Sequence, residues 1–408
     1  MAAKNKLDLS GLDYPGHPGG RRHLELAREH ARADLLYLSN HLGRDHRIIE
    51  AVARTRGIQL PDGLRTATYD QLSAAAARLR REHRGHLFAY RAYCLLVTLG
   101  LPAAWVWYLL SLSPASAALF GFLLVTYSFN VFHMRHHLGG RLYSADAPRR
   151  AGWPAWLDRV TAPWYRFIDE TFSVTPGAWT RQHQASHHIF TNHATLDYDV
   201  RKPYPVLRLH SQQPWRRYHA WQHLYVPLVL AVNGLSFALD NYWQKGGRLG
   251  WLWLHYALLL VLPAYLHGLG AALLSYLLVV AAASLLTGYL FQVSHNATSV
   301  MRCAETRQPL QICYDDWTRQ QVEESVSYGG YLTTLLFGGI NLQTEHHVAP
   351  AMEPLLLYFF QHDLRRVCAA RGIAYRRLSG LTAAIGEYHR RLAALGRRPS
   401  SKPERTGL

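Results

Sequence analysis

The sequence predicts an all-α integral membrane fold: four transmembrane helices in two hairpins, with a cytoplasmic helical cap. Three observations carry that prediction. No Asp, Glu, Lys or Arg occurs from Ala92 to Met134 or from Leu249 to Met301, and each stretch is about twice the ~20 residues a helix needs to cross a ~30 Å hydrocarbon layer. Turn residues stand in the middle of each, Ser111, Ser113, Pro114 and Ser116 in the first and Pro263, Gly268 and Gly270 in the second. Lys and Arg avoid both turns and crowd the flanks, as at Arg78, Arg80, Arg81, Arg84 and Arg91 before the first stretch and Arg141, Arg149 and Arg150 after it. Runs of this length argue against a buried pair of soluble helices.

The flanking charge is the positive-inside arrangement, which predicts cytoplasmic termini and only two short turns outside. A net charge of +17 could by itself indicate nucleic acid. Its position beside the apolar stretches assigns it to the membrane surface instead, and no nucleic-acid partner is expected. Cys94, Cys303, Cys313 and Cys368 show no CxxC spacing and none falls outside on this topology, so free thiols are expected.

In chain order, residues 1–63 are polar and His-rich and carry no apolar signal-peptide core, so the first span is expected to direct insertion. Thr68 and Gln71 form a capping-box pattern that opens a helix through Ala74 to Arg84, within a lead-in at 64–91. Residues 92–380 form the membrane domain. Trp153, Trp156, Trp164, Trp179, Trp215 and Trp221 suit an amphipathic layer on the headgroups. Tyr225 to Leu239 is apolar but short for a crossing, which predicts a re-entrant or interfacial helix. Leu355 to Ala370 and Leu381 to Leu395 read as helices, and residues 381–408 end in a basic tail from Arg397.

The cap holds the chemistry. Histidines cluster just outside the apolar stretches as HMRHH (His133, His137), HQASHH (His183, His187, His188) and QTEHH (Gln343, His346, His347), with His295 alone at a fourth position. Residues at i and i+4 on a helix point the same way, and the hairpins return every cluster to one membrane face. His183 and His187 are therefore expected to share a face, with His188 one step round toward a neighbouring metal. His136 is out of phase with His133 and His137 and reads as a surface or supporting residue. His255 and His267, alone on apolar faces, read as structural.

Eight imidazoles exceed what one ion uses, because zinc sites are usually four-coordinate. Two ions with about four nitrogens each account for the set and leave open positions for oxygen. Iron is preferred to copper because the ligand set is imidazole, without cysteine or methionine. The set is therefore expected to be a histidine-rich di-metal site.

The order HxxxH, HxxxHH, lone His, QxxHH across two hairpins resembles the membrane fatty acid desaturase superfamily. GGINLQTEHHVAP (Gly338 to Pro350) is similar to the third box of front-end desaturases, in which Gln replaces the first His. TNHATLDYDV after the second box, FQVSHNAT around His295, DDWTRQQV at Asp315 to Val322 and RGIAY at Arg371 to Tyr375 agree. The resemblance covers roughly residues 90 to 380.

It implies two iron ions held by His133, His137, His183, His187, His188, His295, His346 and His347. Asn296 would hold a metal-bound water, and Gln343 and His136 would stand beside the ligands. The implied reaction uses dioxygen and electrons to desaturate a lipid acyl chain. HQASHH has three intervening residues where front-end members usually have two. Three is the spacing of related hydroxylases, so hydroxylation of an alkyl or lipid chain is the alternative. A metal transporter or zinc hydrolase fits less well, since the spans lack the charged residues a transport path needs.

His17-Pro18-Gly19-Gly20 resembles the haem loop of cytochrome b5, and His41 stands where the second haem ligand would be. Such a segment would bind haem b through His17 and His41. Only 16 residues precede His17, so the strands forming one wall of that pocket are expected to be missing. Short chains rarely hold a core without help. The segment is read as a truncated relic, and a separate ferredoxin or cytochrome b5-type protein is expected to donate electrons.

Overall fold

The computed structural model describes residues 67–137, 163–165, 167–168, 182–183, 187–188, 191–192, 194, 197–236, 239, 252–300, 314–350 and 352–399. His17, His41, Arg141, Arg149, Arg150, Trp153, Trp156, Trp179, Cys303 and Cys313 lie outside the described residues. The described part is helical apart from one short strand pair.

Helix α1 (Ala67–Glu82) leads in. Thr68 does not cap it: the residue lies inside the helix, and its buried hydroxyl has no hydrogen-bond partner among the described residues. Leu72, Ala76 and Leu79, spaced four and three apart, bury one stripe of α1 against a later cap helix. The chain restarts at Arg84 as α2 (Arg84–Ser111). Leu87, Tyr90, Cys94, Val97, Leu101, Ala104 and Tyr108 form its buried face, while Leu96, Leu99, Val106, Trp107 and Leu110 stay exposed on the other. An exposed face of that composition suits hydrocarbon.

The first turn falls where expected. Ser113 caps α3 (Pro114–Tyr127) by accepting from the Ser116 amide at 3.2 Å, and Pro114 takes the first helical position, where no amide partner is needed. The helix that α3 begins, running through to His133, is the most buried of the long apolar helices: 67% of its apolar stretch is buried, against 33% for α2 and 28% for the last one. Small residues allow close approach. A Cβ on Gly121 would lie 3.1 Å from the Val279 carbonyl of that last helix.

The second hairpin differs from expectation at Pro263. Its first arm runs through an α-helical turn (Leu252–Tyr256), a π-helical turn (Ala257–Val261) and a further α segment (Leu262–His267), with Pro263 inside the arm. Gly268, at φ 87°, makes the turn, and the long helix Leu269–Gln292 returns. Proline has no amide to give the carbonyl four residues back, and an unpaired carbonyl in hydrocarbon costs several kcal/mol. Tyr108 of α2 donates its hydroxyl to that carbonyl, Leu259 O, at 3.2 Å, and Trp105 Nε1 donates to Leu258 O at 3.2 Å. The two hairpins are thus joined where the proline opens the helix.

Among the described residues, three helices are long and apolar enough to cross a membrane: α2, the helix from Pro114 through His133, and Leu269–Gln292. The fourth arm, Trp253–His267, is apolar but shorter. The Tyr225–Leu239 region contributes a helix at Gln222–Ala231, which is too short to cross. Of the expected tryptophan layer, Trp164 and Trp221 are exposed, whereas Trp215 turns in to donate to Gly396 O at 2.8 Å.

The cap is built from Tyr314–Glu323, Tyr331–Leu336, Gln343–Val348, Pro354–Ala370 and Leu381–Gly396. Leu356, Phe360, Leu364 and Val367 receive the stripe of α1, and Arg80 reaches the buried Glu353 carboxylate at 3.1 Å. The exception to all-helix is a two-residue parallel pair, β1 (Ser327–Tyr328) with β2 (Arg377–Leu378). The last helix ends on side-chain donors: Arg208 to Leu395 O at 2.6 Å and Trp215 Nε1 to Gly396 O at 2.8 Å. These satisfy carbonyls that a helix end leaves open.

Candidate metal centre

Each histidine box sits on or just after irregular backbone. After α3 the chain widens into a π-helical turn, Ser128–His133, before Met134–His137 resumes α geometry. Asn130 in that turn is buried. Its Nδ2 donates to Thr126 O at 3.0 Å and Leu336 O at 3.2 Å, and its Oδ1 accepts from Tyr90 at 2.7 Å. Insertions of this kind are frequent at functional sites. His133 and His137 follow at i and i+4, their ring centroids 4.7 Å apart.

The second box departs from the expected helical face. The His188 amide donates to His183 O at 2.9 Å, a five-residue hydrogen bond that puts i and i+5, rather than i and i+4, in line. His183 and His188 consequently meet, Nε2 to Nε2, at 3.1 Å, while His187, which shares a group with His183 and Asp199, also joins His295 and His347.

The third box depends on Gly338 and Gly339, at φ 57° and 76°. A Cβ on Gly338 would lie 2.4 Å from the Phe129 carbonyl, so the chain passes directly over the π turn that precedes the first box. The short helix Gln343–Val348 that follows is buried throughout. Its adjacent His346 and His347 point in different directions, with an interplanar angle of 90°.

Together the boxes form two all-histidine groups, and His183 and His187 form a third with Asp199. His133, His137, His183 and His346 offer nitrogens within 4.8 Å of one another, and His187, His295 and His347 do the same. His133 and His183 approach to 2.9 Å and His187 and His295 to 3.2 Å, in each case between Nε2 atoms. His188 borders both groups: its ring lies 4.9 Å from His137 and stacks on His347 at 4.3 Å.

The second group has a layer of oxygen acceptors behind it. His187 Nδ1 lies 3.2 and 3.1 Å from the Asp197 carboxylate oxygens, His295 Nδ1 lies 3.3 Å from Glu324 O, and His347 Nδ1 lies 2.6 Å from Gln321 Oε1. Such partners set the orientation of a ligating ring and leave its other nitrogen to the metal. Burial, and then the neighbouring imidazoles, hold His183, His188, His346 and His347 well below the usual 6.5. Neutral imidazole is the form that binds metal. At His187 burial also pulls the pKa down, but the Asp197 and Asp199 carboxylates outweigh it and lift the value to about 9.

These residues fit a pair of metal ions. Nitrogens converge from every box, and the Nε2 atoms of His346 and His347 are buried without hydrogen-bond partners among the described residues. Gln343 Nε2 is 2.9 Å from His295 Nε2. Asn296 donates to Gln292 Oε1 at 2.8 Å, outside both groups. The side chain of His136 lies outside the described residues. His255 bonds the Tyr276 hydroxyl at 3.2 Å and His267 bonds Leu109 O at 2.8 Å, away from the metal groups.

Glu345, inside the third box, is a buried carboxylate that accepts from Ser327 at 2.6 Å and from Tyr375. Burial pushes its pKa up against those hydrogen bonds. Sequence reasoning passes over Asp197, Gln321 and Glu345, although TNHATLDYDV, DDWTRQQV and QTEHH contain them.

The profile of the fatty acid desaturase family matches residues 156–379. The chain is 31% identical over 256 residues to the acyl-lipid (7-3)-desaturase of Chlamydomonas reinhardtii, covering 56% of this chain and 49% of that protein. It is 25% identical over 269 residues to the Delta(5) fatty acid desaturase A of Dictyostelium discoideum, covering 58% and 57%. To the acyl-lipid (8-3)-desaturase of Mortierella alpina it is 25% identical over 256 residues, covering 55% of each. The chain spans about half the length of the curated relatives it matches.

Proposed function

The chain belongs to the fatty acid desaturase family, and from that premise we propose that it is an integral membrane, dioxygen-dependent di-iron desaturase acting on a lipid acyl chain. The observation that carries this reading is the pair of adjacent imidazole groups at the ends of long apolar helices. An all-imidazole set with open positions suits iron and oxygen chemistry.

Two irons bound there would supply the oxidation: a saturated CH2–CH2 pair, dioxygen, two electrons and two protons give CH=CH and two waters. The chain's own residues do the rest. His133, His137, His183 and His346 would hold one ion and His187, His295 and His347 the other, with His188 at the boundary. Gln343 and Asn296 stand beside them, Asn296 as the candidate holder of a metal-bound water. Burial of all eight histidines keeps bulk water from the reacting carbon.

The proposed topology counts Trp253–His267 as a fourth span. Basic residues flanking the spans assign the termini and the metal centre to the cytoplasmic side. Electrons come from an external donor of the ferredoxin or cytochrome b5 type. The spacing in HQASHH does not favour hydroxylation over desaturation, because the π-type bond from His188 to His183 absorbs the extra residue.

Mass spectrometry of lipids from an expressing host tests the reading. Desaturation yields a product lighter by two hydrogens. A product heavier by one oxygen would replace desaturase with hydroxylase, and activity without dioxygen would remove both.

A further inference from the structure

Gln321 belongs to no histidine box, yet it lies fully buried on the helix Tyr314–Glu323 with its amide against the metal centre. Its Oε1 is 2.6 Å from His347 Nδ1 and 2.9 Å from Thr191 Oγ1. The Thr191 hydroxyl also lies 2.8 Å from His187 O, so the Gln321–Thr191 pair links the His347 ring to the backbone of His187, a second ligand of the same group. We infer that Gln321 is a positioning residue that fixes the ring orientation and tautomer of His347 for metal binding. This inference rests on the two-metal reading above.

Donors and acceptors decide the tautomer. A carbonyl oxygen facing Nδ1 requires the imidazole proton to sit on Nδ1. The lone pair then lies on Nε2, a buried atom without a hydrogen-bond partner among the described residues, in the group it shares with His187 and His295. A flipped amide would instead present its NH2 to Nδ1, drive the proton to Nε2 and remove a ligand. Thr191 does not forbid the flip, because its oxygen can accept from that NH2 while its proton goes to His187 O. Without metal both amide orientations satisfy His347 and Thr191, each leaving the outer amide atom, Nε2 in the structure, without a partner among the described residues, and only one is compatible with metal. The three ligands of this group then lean on a carboxylate (Asp197), a side-chain amide (Gln321) and a backbone carbonyl (Glu324). The amide is the one acceptor of the three that can reverse its polarity.

The test compares Q321L, Q321M and Q321E in the full chain, stripped of metal and titrated with Co(II), reading stoichiometry, affinity and the visible absorption of the bound ion. Leu and Met remove the acceptor, and Met keeps the side-chain length should Leu not fold. Glu cannot donate when ionised and holds His347 in the binding tautomer. Wild type is expected to bind two Co(II). Q321L and Q321M should bind the second roughly 10- to 100-fold more weakly, and Q321E should restore wild-type affinity with a shifted spectrum. Unchanged affinity and spectrum in Q321L and Q321M would overturn the inference, as would a Q321E as weak as either. Fewer than two Co(II) in wild type would instead refute the two-metal reading itself.

Discussion

His187 and Asp197 are locked together: the ring Nδ1 lies 3.2 and 3.1 Å from the two carboxylate oxygens, and both oxygens are also held by backbone. The Asn192 amide donates to Oδ2 at 2.7 Å and the Asp199 amide donates to Oδ1 at 2.9 Å. A side-chain amide cannot replace that carboxylate, because one of the two backbone donors would then face an NH2. Asp197→Asn is therefore expected to lower metal affinity about 10- to 100-fold, read as loss of iron during dialysis against a chelator. Iron retention equal to wild type would contradict this role.

Gly338→Ala should uncouple the third box from the first. Left-handed backbone costs a residue with a Cβ about 1–2 kcal/mol, and here the new atom would also lie 2.4 Å from the Phe129 carbonyl. The segment before Gln343 would have to move off the π turn. We expect strongly reduced desaturation and less iron per chain, with the protein still inserted in the membrane. Wild-type activity and iron content would show that the close passage is unimportant.

The Tyr108 hydroxyl is expected to matter because Pro263 has no amide. Tyr108→Phe leaves Leu259 O without its donor, at a cost of roughly 0.6–1.7 kcal/mol for an interhelical hydrogen bond in a membrane. In a Pro263→Ala background residue 263 supplies its own amide, and the same substitution should cost less. Unfolding in mixed micelles measures the cycle. Equal costs in the two backgrounds would mean that the bond and the proline are unrelated.

Glu387 anchors the loop after His295, accepting from Thr298 Oγ1 and the Ser299 amide, each at 2.9 Å. Burial tends to raise its pKa, but the hydrogen bonds from Ser299 and Thr298 outweigh it and hold the value below the usual 4.5. A carboxyl whose folded pKa is depressed stabilises the fold above its unfolded pKa, and that contribution disappears as pH falls through the folded value. Melting temperatures of wild type and Glu387→Gln should therefore differ at neutral pH and converge below about pH 4.5. A constant difference down to pH 3 would contradict the assignment.

The convergence of the boxes is legible in the sequence because histidines at short spacing beside uncharged runs point to metal ligands at a membrane face. The helices at Leu355–Ala370 and Leu381–Leu395 follow from their apolar stripes, and the structure ends them within a residue or so of those limits. What the sequence hides is non-periodic. Nothing in HQASHH announces a five-residue hydrogen bond, so helical spacing gives His187 the face of His183, although the wider turn gives that place to His188. Pro263 reads as a turn because its compensation comes from Tyr108, more than 150 positions away. Asp197 and Gln321 act through partners distant in sequence or on another element, which local spacing cannot reveal.

The metal content of the purified, active chain tests the central claim most directly. Two irons per chain are predicted, falling when His183 or His347 is replaced by Ala. Less than one iron per chain in a preparation that still desaturates lipid would contradict the account.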